Sequence, residues 1–376
     1  MVADDGIWVG RPGVGHNAVM QQHMQEAVSL PATMSGVLLT GHGDLDQLQW
    51  SDAIPVPRPL RGDVLIRVRA AGVNNTDINL RTAWYSKGDG AAKDAAWTGM
   101  PVGFPRIQGI DACGHVVSVG DGVDPARIGE RVLVEPCLCV VGGEERARPW
   151  FLGSECDGAF AQYLVVAARH AYRVDSPLSD VELASFPCSY STAENMLTRA
   201  AVVAGDTVLV TGASGGVGSA AVQLARARGA KVVAITSADK RAALQALGAS
   251  QTIARGQSLI EALGRDAVDV VVDLVGGAQW HDLLEVLRPG GRLAVAGAID
   301  APMVPLDIRN VYLKDLSIFG CTVLAPRVFA NLVARIEKGE VRALVAKRFP
   351  LREIREAQQA FLAKQHVGKI VLTVPA

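Results

Sequence analysis

The sequence lacks the features that mark membrane, secreted and nucleic-acid-binding proteins. No apolar run approaches the roughly 20 residues that cross a bilayer, and no basic start followed by an apolar segment opens the chain. The six cysteines have no paired spacing, which is typical of reduced cytosolic thiols. The 37 basic and 38 acidic residues are scattered, so no basic patch indicates nucleic acid. We therefore expect a cytoplasmic protein that binds neither membrane nor nucleic acid.

Length and composition favour a globular protein of more than one domain. The chain has 376 residues, which suggests roughly two to three domains at about 150 residues each. Apolar residues make up 49% and charged residues 20% of the chain, as in a globular α/β protein. Residues 1–33 contain Gly, Gln and His but no strand pattern, so we expect a flexible N-terminal extension.

The rest of the chain has two different patterns. Over residues 34–189, short β-rich runs alternate with Pro and Gly, which predicts a partly closed β-barrel domain. Over residues 190–325, short apolar runs alternate with helical patterns, as in βαβ units and a doubly wound parallel sheet. Residues 326–376 end in the strand pattern "GKIVLTV", which we expect to return to the first domain.

The turn "VLVTGASGGVGS", residues 208–219, follows the first strand of the second pattern. Gly212, Gly215 and Gly216 allow positive φ or close backbone approach, and Gly218 lets the next helix pack tightly against the strand. Such a turn is built for a ligand that touches the backbone itself.

The helix after this turn, predicted over Ser219–Arg228, directs unpaired N–H groups and its positive dipole end beyond the strand, where a pyrophosphate fits. The spacing of Ala213, Gly215 and Gly218 matches the dinucleotide fingerprint with Ala in the first glycine place. A plain strand–helix turn is the alternative. The residues predicted to bind the cofactor here are Ala213, Ser214, Gly215, Gly216, Val217 and Gly218.

The end of the next strand favours NADPH over NADH. NAD sites usually place a carboxylate there to hold the ribose hydroxyls, whereas this chain has Thr236 and Ser237. Ser237, Lys240 or Arg241 is then available for a 2′-phosphate. Alternatively, Ser237 caps the next helix while Lys240 and Arg241 are solvated.

From about Ser35 to Ala376 the chain resembles the medium-chain dehydrogenase/reductase superfamily, on the motifs "AAGVNNTDINLR", "FPRIQGIDACGHVVSVGDGV", "GERVLVEP", "GSECDGAFAQYLVV", "VTGASGGVGSAAVQLA" and "GKIVL". The resemblance implies a split GroES-like catalytic domain with an inserted Rossmann domain and an active site between them. It also implies a small-molecule substrate. The further cofactor-binding positions it implies are Thr192, Val275, Ala296, Gly297 and Lys369.

The same resemblance argues against zinc. Alcohol dehydrogenases of the superfamily hold a catalytic zinc at positions that correspond to Asn74, Ile110-Asp111 and Cys188, and only Cys188 keeps a thiol. Cys137 and Cys139 alone cannot form the four-cysteine structural site. We therefore expect no bound metal.

The "GVNNTD" pattern is similar to the quinone oxidoreductase and enoyl reductase branch. There Asn74 would contact the nicotinamide or the substrate carbonyl, with a simple turn residue as the alternative. Tyr85, nine residues after Thr76, matches an enoyl-thioester reductase tyrosine that donates a proton or polarises a carbonyl. Its alternative is aromatic packing beside Trp84. Thr76 and Asn79 fall where alcohol dehydrogenases carry a hydroxyl residue and a relay histidine.

These features predict an NADPH-dependent, zinc-independent reductase of quinones or activated C=C bonds. Two alternatives stay open: an alcohol dehydrogenase of the same superfamily, and a non-catalytic NADPH-binding protein. The insert at residues 86–103 is expected either to flank the substrate cleft or to be a plain surface loop. The pattern "YLKDLSIFGCTV" resembles the superfamily's edge strand and predicts a homodimer.

Overall fold

A computed structural model of the protein describes residues 30–86 and 95–375. Most of the extension expected over residues 1–33, and part of the 86–103 insert, lie outside those ranges. The first strand begins at Thr33, one residue before the boundary that the sequence suggested. Within the two described ranges, no helix is long and apolar enough to cross a membrane.

Short strands dominate the first part of the chain. In order, the elements are β1 (Thr33–Leu39), β2 (Leu48–Pro55), β3 (Asp63–Gly72), α1 (Asn75–Arg81), β4 (Arg106–Ile107), β5 (Cys113–Val119), β6 (Arg131–Val134), β7 (Cys137–Val141), β8 (Glu144–Phe151), β9 (Tyr163–Ala167), β10 (Ala171–Arg173), α2 (Asp180–Leu183) and α3 (Pro187–Arg199).

Strands and helices alternate in the second part. The elements are β11 (Thr207–Val210), α4 (Gly216–Ala227), β12 (Lys231–Thr236), α5 (Arg241–Leu247), β13 (Gln251–Ala254), α6 (Leu259–Leu263), β14 (Val268–Asp273), α7 (Trp280–Val286), β15 (Leu287–Val295), α8 (Ile308–Leu313), β16 (Ser317–Gly320), α9 (Val328–Glu337), β17 (Val345–Pro350), α10 (Ile354–Leu362) and β18 (Lys369–Thr373).

The central strand of the first part is β3. It lies in the sheet ordered β10-β6-β5-β3-β18-β17 and also pairs with β9. Its β-branched residues Val64, Ile66 and Val68 are buried, which suits a strand that has neighbours on both edges. A second sheet, β2-β1-β4, and the β7-β8 hairpin complete this part.

The second part is a parallel six-stranded sheet in the order β13-β12-β11-β14-β15-β16. Successive residues of its central strands face two separate cores: Val208 and Val210 lie in one, and Leu209 in the other. Burial on both faces explains why these strands are almost entirely apolar in the sequence.

Two details differ from the sequence predictions. Helix α4 begins at Gly216 and not at Ser219, because the Ser219 N–H already donates to the Gly215 carbonyl at 2.9 Å. Strand β17 was not predicted, because its sequence "VAKRFP" is basic and only partly buried at the edge of its sheet.

The C-terminal strand brings distant residues to α1. Strand β18 pairs antiparallel with β3, with Val371 opposite Gly72, and the Val73 N–H donates to the Ile370 carbonyl at 2.9 Å. Lys369 is therefore placed beside the start of α1.

Candidate active site

The glycine turn lies against both α3 and β18. Gly212 has a φ of +54°, which favours glycine. A Cβ on Gly216 would lie 2.6 Å from Ser189 Oγ and 2.9 Å from Lys369 Cδ, and one on Gly218 would collide with the Gly212 and Ala213 backbone. As predicted, Gly218 permits close helix–strand packing. Gly215 is the exposed N-cap of α4 and supplies no side-chain cap, so the first N–H groups of α4 are open to an anion.

Predicted cofactor residues also gather at the carboxyl ends of β14 and β15. Val275 lies two residues after β14, and Ala296 and Gly297 are the first two residues after β15. All three residues are half-buried. The Val275 N–H donates to Asp273 Oδ1 at 3.0 Å, and the same oxygen accepts from Thr211 Oγ1 at 2.7 Å. The bond between Thr211 and Asp273 connects the end of β14 to the residue that precedes the glycine turn.

Basic residues gather at the end of β12. The Lys240 ammonium is buried and donates to the Lys364 carbonyl at 2.6 Å, so this side chain is not simply solvated. Lys364 is an exposed residue, but partial desolvation of its ammonium and the nearby Lys240 lower its pKa to about 8. Desolvation and these two lysines lower the pKa of His366 to about 4. We call Lys240 and Lys364 the cationic cluster, since a His366 with a pKa of about 4 is neutral beside them at neutral pH.

Two neutral hydroxyls accompany the cationic cluster. Thr236 is buried, and its Oγ1 has no hydrogen-bond partner within residues 30–86 and 95–375. Ser237 precedes the short turn at residues 238–240, and its hydroxyl holds the pKa of Asp239 below the usual value. No carboxylate of β12 itself faces this end, since its last residues are Ile235 and Thr236.

Asn74, Asp111 and Lys369 form a buried network. The Lys369 ammonium contacts Asp111 Oδ2 at 2.8 Å and donates to Asn74 Oδ1 at 2.5 Å and the Val73 carbonyl at 3.0 Å. Asn74 Nδ2 donates to the same Asp111 oxygen at 2.8 Å. Asp111 is 0% exposed and Lys369 2%. All three ammonium protons have protein acceptors, so Lys369 touches the glycine turn with its aliphatic stem and not with its charge.

Cys188 and Thr192 border this network from α3. The Cys188 N–H donates to Asp111 Oδ1 at 2.6 Å, and burial, followed by the Asp111 charge, raises the pKa of the Cys188 thiol. Thr192, half-buried one turn later, donates to the Cys188 carbonyl at 2.7 Å. A thiol with a raised pKa stays protonated at neutral pH.

Asp77 was missed as a site residue. It caps α1 by accepting the Asn74 N–H at 2.8 Å, and burial raises its pKa to about 7 despite that hydrogen bond and the Lys369 charge. Only its acidic identity within "NTDIN" signals it in the sequence.

Thr76 lies in the first turn of α1, and Tyr85 lies four residues beyond its end. Thr76 Oγ1 is buried without a partner in the described part of the chain. Tyr85 is half-buried, its hydroxyl is hydrogen-bonded to Asn79, and desolvation raises its pKa. Its ring packs edge-on against Trp84 at 5.5 Å. The aromatic packing that was one interpretation of Tyr85 is therefore present, together with a protonated phenol.

Replacing Lys369 tests the buried network. In Lys369→Met, Asp111 keeps its charge in a buried site without its cation, so the free energy of unfolding should fall by roughly 3–5 kcal/mol. Asp111→Asn in the same chain should recover much of this loss, whereas Lys338→Met on the exposed end of α9 should change little. Urea unfolding followed by circular dichroism measures all three. A Lys369→Met variant as stable as the wild type would contradict the ion pair.

Known proteins match this architecture over most of its length. Residues 60–176 match the alcohol dehydrogenase GroES-like domain, and residues 216–338 match the zinc-binding dehydrogenase family. The chain is 30% identical to acryloyl-coenzyme A reductase from Metallosphaera sedula over 350 residues, which covers 90% of this chain and 100% of that protein. It is 28% identical to human quinone oxidoreductase, covering 90% of this chain and 97% of that one.

Among solved structures, a Sinorhizobium meliloti 1021 protein provisionally assigned as an alcohol dehydrogenase aligns with a TM-score of 0.86 and 46% identity. The alignment covers 95% of this chain and 100% of that one. These similarities confirm the predicted GroES-like domain and Rossmann sheet. The chain therefore belongs to the medium-chain dehydrogenase/reductase superfamily of nicotinamide-dependent oxidoreductases.

Proposed function

We propose that the protein is an NADPH-dependent, zinc-independent reductase that transfers hydride to a quinone or to a C=C bond conjugated with a carbonyl. The observation that carries this proposal is the buried Lys369–Asp111–Asn74 network, which uses the polar groups at the positions where zinc-dependent relatives bind metal. The names of two similar proteins, acryloyl-coenzyme A reductase and quinone oxidoreductase, agree with the proposed acceptor class.

The residues at these positions do not fit zinc. Ile110 offers no donor, Asn74 gives its amide oxygen to an ammonium, and Asp111 is already neutralised by Lys369. In residues 30–86 and 95–375, no three His, Cys, Asp or Glu side chains form a group that could hold a metal ion. A tetrahedral site needs three or four well-placed N, O or S donors, so we assign no role to zinc.

The glycine turn and the cationic cluster fit NADPH. The open N–H groups at the start of α4 suit the pyrophosphate, and the cationic cluster suits a 2′-phosphate. When bound, NADPH supplies the hydride. The α1 residues then bind and orient the acceptor beside it.

Tyr85 and Thr76 are the proposed donors to the acceptor oxygen. Conjugate addition of hydride leaves negative charge on that oxygen, and preorganised hydrogen bonds stabilise such charge. Tyr85 is protonated because desolvation raises its pKa, and the Thr76 hydroxyl has no other partner in the described residues. Transfer of the Tyr85 proton to that oxygen gives the enol, which tautomerises to the saturated carbonyl, or gives the hydroquinone when the acceptor is a quinone. Solvent then reprotonates the phenolate. Asn74 acts by holding Lys369 and the start of α1 in place.

Acceptor specificity tests the proposed reaction. Purified protein should oxidise NADPH with quinones or enones, should be much slower with simple aldehydes, and should keep its activity after chelation. Tyr85→Phe should lower kcat by roughly 10²- to 10⁴-fold, the usual contribution of a positioned acid. Tyr172→Phe, whose ring packs on Phe329 at 5.0 Å, is the matched control.

The other outcomes of this experiment identify the alternatives. Aldehyde or alcohol turnover that requires stoichiometric zinc would indicate an alcohol dehydrogenase. Tight NADPH binding without turnover of any acceptor would indicate a non-catalytic NADPH-binding protein. Either result would reject the proposed reaction.

Cofactor preference tests the cationic cluster. Because a phosphate prefers the protonated ammonium, kcat/KM for NADPH should fall as pH rises through about 8, the pKa of Lys364, whereas kcat/KM for NADH should not follow that curve. Lys364→Gln should lower kcat/KM for NADPH by roughly tenfold to a hundredfold. Lys364→Arg should abolish the fall near pH 8, and Lys338→Gln serves as control. Equal losses with NADPH and NADH would reject the 2′-phosphate assignment.

We also propose a homodimer formed through the β16 edge of the parallel sheet. Among residues 30–86 and 95–375, strand β16 has a partner on one side only, and the preceding helix α8 has no buried residue. Ile308, Tyr312 and Leu313 on α8 are 67%, 61% and 69% exposed, and Met303 is 86% exposed. A contiguous apolar surface beside an open edge strand is typical of a protein interface.

Light scattering after gel filtration measures this assembly. The wild type should have twice the chain mass of 39.6 kDa, and Leu313→Glu should shift it towards the monomer. Leu362→Glu places the same charge on an exposed leucine of α10 and should remain dimeric. A monomeric wild type would exclude the proposed dimer.

A further inference from the structure

The described second half of the 86–103 insert carries an aromatic ring to the candidate active site. The Trp97 ring stacks on Phe151 with centroids 4.4 Å apart and planes at 14°. Its distance to the Tyr85 ring is 5.6 Å, with planes at 30°. Phe151, Trp97 and Tyr85, here called the aromatic stack, thus connect strand β8, the insert and the proposed proton donor.

A single carboxylate fastens the insert to β8. Glu155 Oε1 accepts the Thr98 N–H at 2.7 Å, and Glu155 Oε2 accepts the Phe151 N–H at 2.9 Å. The Trp97 N–H donates to Ser154 Oγ at 3.2 Å. Hydrogen bonds to an ionised carboxylate are stronger than neutral ones. The position of Trp97 over Phe151 is therefore held through the backbone on both of its sides.

Tyr85 has few backbone restraints of its own. It lies beyond the end of α1, in a turn where Ala83 has a φ of +55°. Within the described part of the chain, the side-chain contacts that orient the phenol include the Asn79 hydrogen bond and the rings of Trp84 and Trp97. Trp84 is 49% exposed, so Trp97 is the more firmly held of the two rings.

We propose that Trp97 is a positioning residue, which holds the Tyr85 phenol in place for the acceptor and makes residues 95–103 of the insert part of the active site. This inference rests on the proposed function for its kinetic effect. This part of the insert is then more than a surface loop, because its hydrogen bond to Glu155 fixes the Trp97 ring that contacts Tyr85. Loss of that ring leaves Tyr85 chemically intact but free to adopt other rotamers.

A double-mutant cycle tests the inference. Trp97→Ala should lower kcat by about 10- to 100-fold, as expected when a reacting group is misplaced, while the Kd for NADPH is unchanged. Trp97→Phe keeps a ring and should stay near the wild-type kcat. In the Tyr85→Phe background, Trp97→Ala should cause no further loss, because the two side chains act as one unit. Additive losses would overturn the proposal.

Trp150→Ala is the matched control. Trp150 is next to Phe151 in sequence, but the Trp150 ring lies 4.3 Å from the Arg146 guanidinium. Its removal should therefore leave kcat unchanged. A loss equal to that of Trp97→Ala would overturn the proposal, since it would reflect general damage to β8.

A second measurement does not need activity. Tetranitromethane nitrates accessible phenols, and peptide mass spectrometry quantifies the label on Tyr85. Trp97→Ala should increase nitration of Tyr85 several-fold over the wild type, whereas Trp97→Phe and Trp150→Ala should not. Unchanged nitration in Trp97→Ala would overturn the inference. Absence of turnover in the wild type would instead reject the proposed function. The nitration of Tyr85 would then still test whether Trp97 holds the phenol in place.

Discussion

The active-site architecture depends on one buried ion pair, between Lys369 at the start of β18 and Asp111 after β4. Neither group is stable alone in the interior, since a buried charge without its partner costs several kcal/mol. Their contact gathers four segments: β18 through Lys369, the start of α1 through Asn74, the loop of Asp111, and α3 through the Cys188 N–H. The glycine turn lies against the same network, since a Cβ on Gly216 would meet the stem of Lys369. The pair is thus a buried cation–anion contact that also occupies the amide of Asn74.

The full set of hydrogen bonds made by the Lys369 ammonium has a chemical consequence. A metal can stabilise a developing alkoxide directly as a Lewis acid, whereas an ammonium whose three protons are already bound to protein acceptors has none left for the substrate. Charge that develops on an acceptor oxygen must then be stabilised by hydrogen-bond donors elsewhere. The described structure offers a protonated Tyr85 and the unpartnered hydroxyl of Thr76. Charge delocalised over an enolate or a quinone needs less stabilisation than a localised alkoxide, which is why the proposed acceptors are conjugated.

The two halves of the site differ in how they are held. The glycine turn is held by close contacts between backbone atoms. Gly218 has no room for a methyl group, and Gly212 has a positive φ that favours glycine. The acceptor side depends on side-chain contacts across several segments, with Tyr85 between Asn79 and the ring of Trp97.

Local pattern was sufficient for much of the fold. The sequence by itself determined the two kinds of sheet and the glycine turn, because strand burial and backbone freedom are properties of single residues and short spacings. It missed strand β17, whose polar edge lacks an apolar pattern, and it started α4 at Ser219 because glycines were interpreted as turn and not as the first helical residues. Only the tertiary structure decided that Lys369 pairs with Asp111, that Lys240 contacts Lys364, and that Trp97 lies beside Tyr85. Lys369 and Asn74 lie 295 residues apart and Lys240 and Lys364 lie 124 apart, so their contact exists only because β18 pairs with β3 after the whole parallel sheet has been completed between them.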